Sequence, residues 1–261
     1  MSVTPGFTPG RGLSLELQGH IAVLEFSRPP YNYFDRELIE DLAAAFDYLD
    51  NLEQCRVTVL QAQGKVFCAG ADFSGDEQRD PEFPRRLYRF AVRLFRVRKP
   101  VICVVEGAAV GGGLGLALFA DFRVTSERAR FSANFNRLGI HPGFGLSVTL
   151  PRLLGQQQAA LLLATGRRID GAEAVRIGLA DVLAPAGEER QAALALAREI
   201  ALCAPLSLMS TRETLRQGLA EQVERAVERE ADEQAWQIRS EDFAEGTLAM
   251  AERREPRFKG R

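Results

Sequence analysis

Apolar and polar residues alternate twice near the start of the chain. Leu13–Leu17 and Ile21–Phe26 each place apolar side chains two residues apart, with Gly19 between them, and so predict a β-hairpin. Leu38, Leu42, Phe46 and Leu49 then recur at helical spacing behind Asp35, which predicts a helix capped by that aspartate. The β-branched run Val57–Gln61 predicts a buried strand, and the polar, proline-punctuated SGDEQRDPEFP a loop. Residues 85–97 return to helical spacing, with Leu87, Phe90 and Leu94 turned inward. VICVVEG after Pro100 reads as a second buried strand. FRVTS reads as a short one in which Phe122 and Val124 alternate with polar neighbours. Helices are expected at 156–165 and 171–178, and then at 188–203, 206–219, 221–237 and 241–254.

Strands and helices thus alternate to about residue 184, the pattern of an α/β domain with crossover connections, and helices alone follow. The expected organisation is a flexible N-terminal tail at 1–12, an α/β core at 13–204 and a C-terminal helical region at 205–261. With 261 residues, 46% apolar and 26% charged, the chain can bury a sizeable core without disulfides or metals. A net charge of −2 argues against a basic nucleic-acid surface. No apolar run approaches the roughly 20 residues of a membrane span. The start, MSVTPGFTPGRG, lacks the apolar core of a signal peptide, so the cytoplasm is the expected compartment. Cys55, Cys68, Cys103 and Cys203 are scattered and read as free thiols. Only two histidines, His20 and His141, are present, and no metal site is expected. Arg85, Arg86, Arg89, Arg93, Arg96 and Arg98 crowd one stretch, either as a solvated helix face or as a site for an anionic group.

Two glycine-containing segments carry the candidate chemistry. GKVFCAGADF (64–73) and EGAAVGGGLGLALFADFRV (106–124) each follow a predicted strand. In the second, a triple glycine enters an apolar helix. Glycine lets backbone approach a ligand closely, and a helix start presents unpaired N–H groups, which suits negative charge developing on an oxygen. The spacing is neither that of a dinucleotide site nor that of a P-loop.

Five segments taken together resemble the crotonase (enoyl-CoA hydratase/isomerase) superfamily, in the right order. They are GKVFCAGADF, KPVICVVEGAAVGGGLGLALFADFRVTSERARF, LGIHPGFGLSVTLPRLLG, TGRRIDGAEAVRIGLADVL and EGTLAMAERREPRFKG, and they span about residues 21 to 260. The resemblance implies a spiral of ββα units with helices closing the end, an enzyme of the lyase or isomerase kind, and trimers or dimers of trimers built through the C-terminal helices. It implies an acyl-CoA thioester as ligand, with coenzyme A as part of the substrate and no separate cofactor. By motif position the oxyanion-hole N–H groups fall on Ala71 and Gly112, with Ala69, Gly70, Asp72, Phe73, Gly111, Gly115 and Phe135 around the substrate. Arg28 is implied for the CoA phosphates, as are Arg253, Arg254 or Lys259 from a neighbouring subunit.

The chain departs from the hydratase pattern at both acids. Where typical hydratases carry glutamates, this sequence has Gly115 and Phe135, and from Arg128 through Ile169 it has no Asp or Glu. His141 is a candidate base because its ordinary pKa is near neutrality. Asp72 is a further candidate, and Ser132, Asn134 and Asn136 are groups that could orient water. Asp121 and Glu106 read as structural. The leading expectation is a family enzyme that stabilises a thioester enolate without the usual glutamates. The alternatives are a decarboxylase of malonyl-type thioesters, in which loss of CO2 itself generates the enolate, and a non-catalytic acyl-CoA carrier.

Overall fold

The computed structural model describes residues 7–71, 80 and 82–261. The chain opens with the expected hairpin, β1 (Leu13–Gln18) against β2 (Ile21–Phe26), antiparallel. Helix α1 (Arg36–Asn51) follows, and the Asp35 carboxylate accepts from the Leu38 N–H to cap it. The chain then repeats one unit three times. Each unit has a strand in a large sheet, a shorter strand in a small sheet, and a helix. The units are β3 (Val57–Ala62), β4 (Val66–Cys68) and α2 (Phe83–Phe95); β5 (Val101–Val105), β6 (Ala108–Val110) and α3 (Gly112–Leu118); and β7 (Phe122–Thr125), β8 (Arg130–Ser132) and α4 (Phe135–Leu138). Next come α5 (Leu146–Thr165), β9 (Ile169–Asp170), α6 (Gly171–Arg176) and β10 (Val182–Leu183). Four helices finish the chain: α7 (Glu189–Ala201), α8 (Pro205–Leu215), α9 (Leu219–Gln237) and α10 (Glu241–Glu252).

The large sheet has the order β1-β2-β3-β5-β7-β10 and is parallel from β2 onward. The small sheet has the order β4-β6-β8-β9, with only β9 antiparallel. This is the ββα spiral that the sequence resemblance implies. The main core lies on one face of the large sheet, where Phe26 meets Phe67 edge-on at 5.4 Å. Val57, Val59, Ile102 and Val104 point the other way, under Ala193, Ala197 and Ile200 of α7. Burial on both faces explains why β5 reads as an unbroken apolar run.

Four features differ from expectation. The five strands β4, β6, β8, β9 and β10 are two or three residues long and leave no clear pattern in the sequence. Arg123, in the segment expected to alternate, is only 1% exposed, and its guanidinium donates to the carbonyls of Leu179 (2.7 Å), Ala120 (2.9 Å) and Asp121 (3.1 Å). Helix α5 begins ten residues early, at Leu146, and breaks at Gly155. In the expected tail, Phe7 stacks on Tyr48 at 5.2 Å and the Gly12 carbonyl accepts from the Ser27 N–H; residues 1–6 lie outside the described residues.

The crowded arginines tie α2 to its neighbours. Arg85 and Arg89 reach Glu228 (2.6 and 3.4 Å), Arg96 reaches Glu224 (2.8 Å) and Arg93 reaches Asp47. Their partners sit on α9 and α1, so this face holds helices together and does not form a site for an anionic group. Among the described residues no single helix is long and apolar enough to cross a membrane.

Asp121 joins the spiral to the C-terminal helices. Its carboxylate accepts from the Val101 N–H (2.8 Å), Arg212 Nε (2.9 Å) and Arg216 Nη1 (3.0 Å). Burial, reinforced by Arg212, holds the Arg216 guanidinium down to about 10. Removing the acid leaves two buried cations facing each other. Asp121→Ala is therefore expected to lower unfolding free energy by about 3–5 kcal/mol in urea titrations. An effect under about 1 kcal/mol would show that the cluster does not hold α8 in place.

Candidate functional site

The site lies off one edge of the small sheet. Strands β4, β6 and β8 run parallel and end there, and antiparallel β9 begins there. The loops at that edge bring together four segments: 69–71 after β4, Gly111–Gly112 after β6, Asn134–Phe135 after β8, and Arg168 before β9.

The 69–71 segment is pinned from the side. Ala69 N–H donates to the Tyr31 carbonyl (3.1 Å), and Phe34 N–H donates to the Gly70 carbonyl (3.0 Å). Asn32 anchors the same loop. It is buried, its amide donates to the carbonyls of Gln63 and Val66 (2.7 Å each), and its side-chain oxygen accepts from the Arg28 N–H. The parallel bridge between Phe34 and Ala71 uses the Gly70 carbonyl and leaves the Ala71 N–H pointing away from it.

The second segment depends on missing side chains. A methyl group at Gly113 would lie 2.1 Å from the Cys68 carbonyl oxygen, so α3 can start only if its first turn rests directly on the end of β4. A methyl at Gly70 would lie 3.6 Å from the Gly112 nitrogen, so the two segments face each other at backbone distance. The Gly111 carbonyl accepts from the N–H groups of Leu114 and Gly115. Gly112 stands at the helix start, where an N–H has no partner within the helix. Among the described residues, neither the Ala71 nor the Gly112 N–H has a hydrogen-bond acceptor.

Both segments open into a cavity of about 490 Å³. Ala69, Gly70, Ala71, Gly111, Gly112 and Phe135 line it. Its remaining walls are Tyr31, Tyr33 and Phe34, then Phe83, Leu87 and Tyr88 of α2, and Thr247, Met250 and Ala251 of α10. No Asp, Glu, Lys or His occurs among the described lining residues, and Arg168 is the one charge there. Asp72 and Phe73 lie outside the described residues.

Phe135 is 5% exposed, and its ring packs against Gly111. Gly115 does not line the cavity. A methyl there would lie 2.6 Å from Phe144 Cβ, and Phe144 holds a left-handed backbone (φ 60°) between Phe34 and Tyr88. The space beside Gly115 is therefore filled by a buried ring rather than left open.

His141 does not line the cavity either. Its Nδ1 lies 2.8 Å from the Pro142 carbonyl, and its own carbonyl accepts from the Gln234 amide (2.7 Å). Gln234 in turn accepts from the Tyr88 hydroxyl (3.1 Å), and burial pushes that phenol well above its ordinary pKa. Glu230, nearby and fully buried, accepts from the N–H groups of Gly145 and Ser147 at the start of α5. Burial raises its pKa, and its role is that of a cap. Burial also pushes the Cys68 thiol up to about 12, which removes it as a nucleophile near neutrality.

The basic residues expected at the CoA phosphates already have carboxylate partners, except Arg253. Arg28 pairs with Asp35 and Glu37, Arg254 with Glu245 and Glu252, and Lys259 with Glu241, while exposed Arg253 ends α10 in a left-handed conformation. None of the four lines the cavity. Asp121 and Glu106 are structural, as expected, Glu106 being held by the Arg190 guanidinium at 3.1 Å. The sequence reading missed Tyr88, Gln234, Arg168 and α10 as cavity walls. Among the described residues, no group of three or more His, Cys, Asp or Glu could hold a metal ion.

Residues 16–261 match the enoyl-CoA hydratase/isomerase family model. A probable enoyl-CoA hydratase of Bacillus subtilis is 32% identical over 255 residues, covering 95% of this chain and 98% of its own. A probable enoyl-CoA hydratase of Mycobacterium tuberculosis is 37% identical over 252 residues, covering 92% and 97%. The crystal structure of an enoyl-CoA hydratase/isomerase from Pseudoalteromonas atlantica superposes with a TM-score of 0.84 at 29% identity, covering 95% of this chain and all of that one. With the spiral, the facing backbone donors and a match along nearly its whole length, the chain belongs to the enoyl-CoA hydratase/isomerase family.

Proposed function

We propose that this protein is an enzyme that binds an acyl-CoA thioester and polarises its carbonyl between the Ala71 and Gly112 N–H groups. The observation that carries the reading is the pair of facing segments with unoccupied backbone donors at the mouth of an apolar cavity. Negative charge developing on a thioester oxygen would meet two fixed dipoles beside apolar walls, where such donors act more strongly than in water.

The described walls provide no carboxylate to hold water over the β-carbon or to deliver a proton to the α-carbon. That favours chemistry in which the enolate forms without an enzyme acid. Decarboxylation of a malonyl-type thioester is such a reaction. The C–C bond to the carboxylate breaks, CO2 leaves, and the electron pair enters the enolate that the two N–H groups stabilise. A non-catalytic acyl-CoA carrier needs the donors alone, and turnover separates the two readings. A panel of acyl-CoA and malonyl-type thioesters is expected to yield product from at least one member; saturable binding with no product from any would support the carrier.

An exposed apolar corner supports assembly as a trimer or dimer of trimers. Helices α7 and α8 meet at 108°, with Leu202 (87% exposed) and Leu206 (84%) at the bend. Two large apolar side chains left this exposed at one bend suit burial against another subunit. The C-terminal helices have a second role in the same chain, since α10 walls the cavity.

Three outcomes are expected. Crotonyl-CoA hydration should run ~10²-fold or more below an efficient hydratase in steady-state kinetics, because each acid or base typically contributes ~10²–10⁴-fold; a full rate would overturn the reading of Phe135. Gly115→Glu should unfold the protein or destabilise it by more than the ~1–3 kcal/mol of ordinary overpacking, because Phe144 occupies that space. Full stability in urea would show that the ring moves aside freely. Light scattering at micromolar concentration should give three or six times the chain mass, and a monomer would contradict the assembly.

A further inference from the structure

We propose that the acyl group this cavity takes ends in a second carboxylate, and that Arg168 receives it. The inference rests on the acyl-CoA reading above and adds the substrate class.

The order of strands at the site edge sets a direction. The two oxyanion donors follow β4 and β6, and Arg168 precedes β9, two strands beyond β6. Neighbouring strands lie about 4.8 Å apart, so Arg168 springs from the sheet roughly 10 Å from the Gly112 turn. Between them, after β8, lies Phe135, an apolar wall along which an acyl chain can run. At the opposite end, beside β4, Tyr31 is 51% exposed, which leaves that side for the bulky CoA portion.

Charge argues the same way. The described lining holds a single formal charge, that of Arg168, and no acid to pair with it. Arg28 and Arg254, by contrast, have carboxylate partners. Arg168 is exposed and has no ion-pair partner among the described residues. A guanidinium at the rim of an apolar cavity suits a carboxylate arriving on an apolar stem, held by a planar two-point contact. A six-carbon diacid held as its mono-thioester separates its end carbons by roughly 6 Å, from five C–C bonds of about 1.5 Å each. The arginine side chain covers the remaining distance.

Isothermal titration of the full-length chain with adipyl-CoA and hexanoyl-CoA tests this. The two saturated thioesters share the CoA portion and the chain length, and differ in the terminal carboxylate. The wild type is expected to bind adipyl-CoA about tenfold more tightly, the effect of one hydrogen-bonded charge pair. Arg168→Met should abolish that preference by weakening adipyl-CoA binding, with hexanoyl-CoA as the reference for each variant and far-UV circular dichroism as the check on folding. Arg168→Lys should keep part of it. Equal affinity of the wild type for the two thioesters would overturn the proposal alone. So would a loss in Arg168→Met that is the same for both, because that is the mark of a phosphate contact. Failure of both thioesters to bind would overturn the acyl-CoA reading, and this proposal with it.

Discussion

The site rests on one close approach: the first turn of α3 seated against the end of β4. Gly113 sits where any side chain would collide with the Cys68 carbonyl, and a methyl at Gly70 would crowd the Val110 carbonyl at 3.0 Å, with the Gly112 nitrogen just beyond it. Backbone meets backbone, and the two N–H groups left over by strand pairing and helix formation end up side by side. Everything else in the small sheet serves that contact. Asn32 clamps the 28–32 loop onto the β3–β4 connection, and the Gly111 N–H ties the glycine turn to Ser132 of β8 (2.8 Å). Because the proposed donors are main chain, their position is set by the fold rather than by a rotamer, and they need no reorganisation when charge develops.

Against that fixed pair, the aromatic residues decide what else the cavity can do. Phe144 lies over Gly115, edge-on to Phe34, and the phenyl ring of Phe135 covers Gly111. Gly115 and Phe135 thus differ in kind. One is closed by packing from a neighbouring element, and the other presents an apolar ring to the cavity. Phe144 belongs to a packed layer beneath the site. The polar relay from Tyr88 through Gln234 to the His141 carbonyl is part of that layer and holds α2, α9 and the 141–143 loop in register.

Much of this is legible in the sequence where the signal is local. The hairpin, the Asp35 cap and the final four helices follow from periodicity and capping. The glycine segments stand out because glycine at those positions has a backbone reason to be there. The departures at Gly115 and Phe135 are visible too, but their consequences are not, because Phe144 reaches Gly115 from 29 residues away and only the fold brings them together. The small sheet is hidden for a different reason. Strands of two or three residues cannot display alternation, yet their common edge assembles the whole site. Arg168 sits in TGRRID, which reads as an ordinary polar turn; its place on the cavity comes from the antiparallel pairing of Ile169 with Phe131. Likewise, nothing in the spacing of α10 reveals that Thr247 and Met250 face the chain's own cavity.

The central claim is that the Ala71 and Gly112 N–H groups grip a thioester carbonyl. Infrared difference spectroscopy of a saturated acyl-CoA carrying ¹³C at the carbonyl, free and then bound, reads that grip directly. The account predicts a bound carbonyl band at distinctly lower frequency than the free one, because two hydrogen bonds draw electron density onto the oxygen. A bound band at the frequency of the free thioester would contradict it.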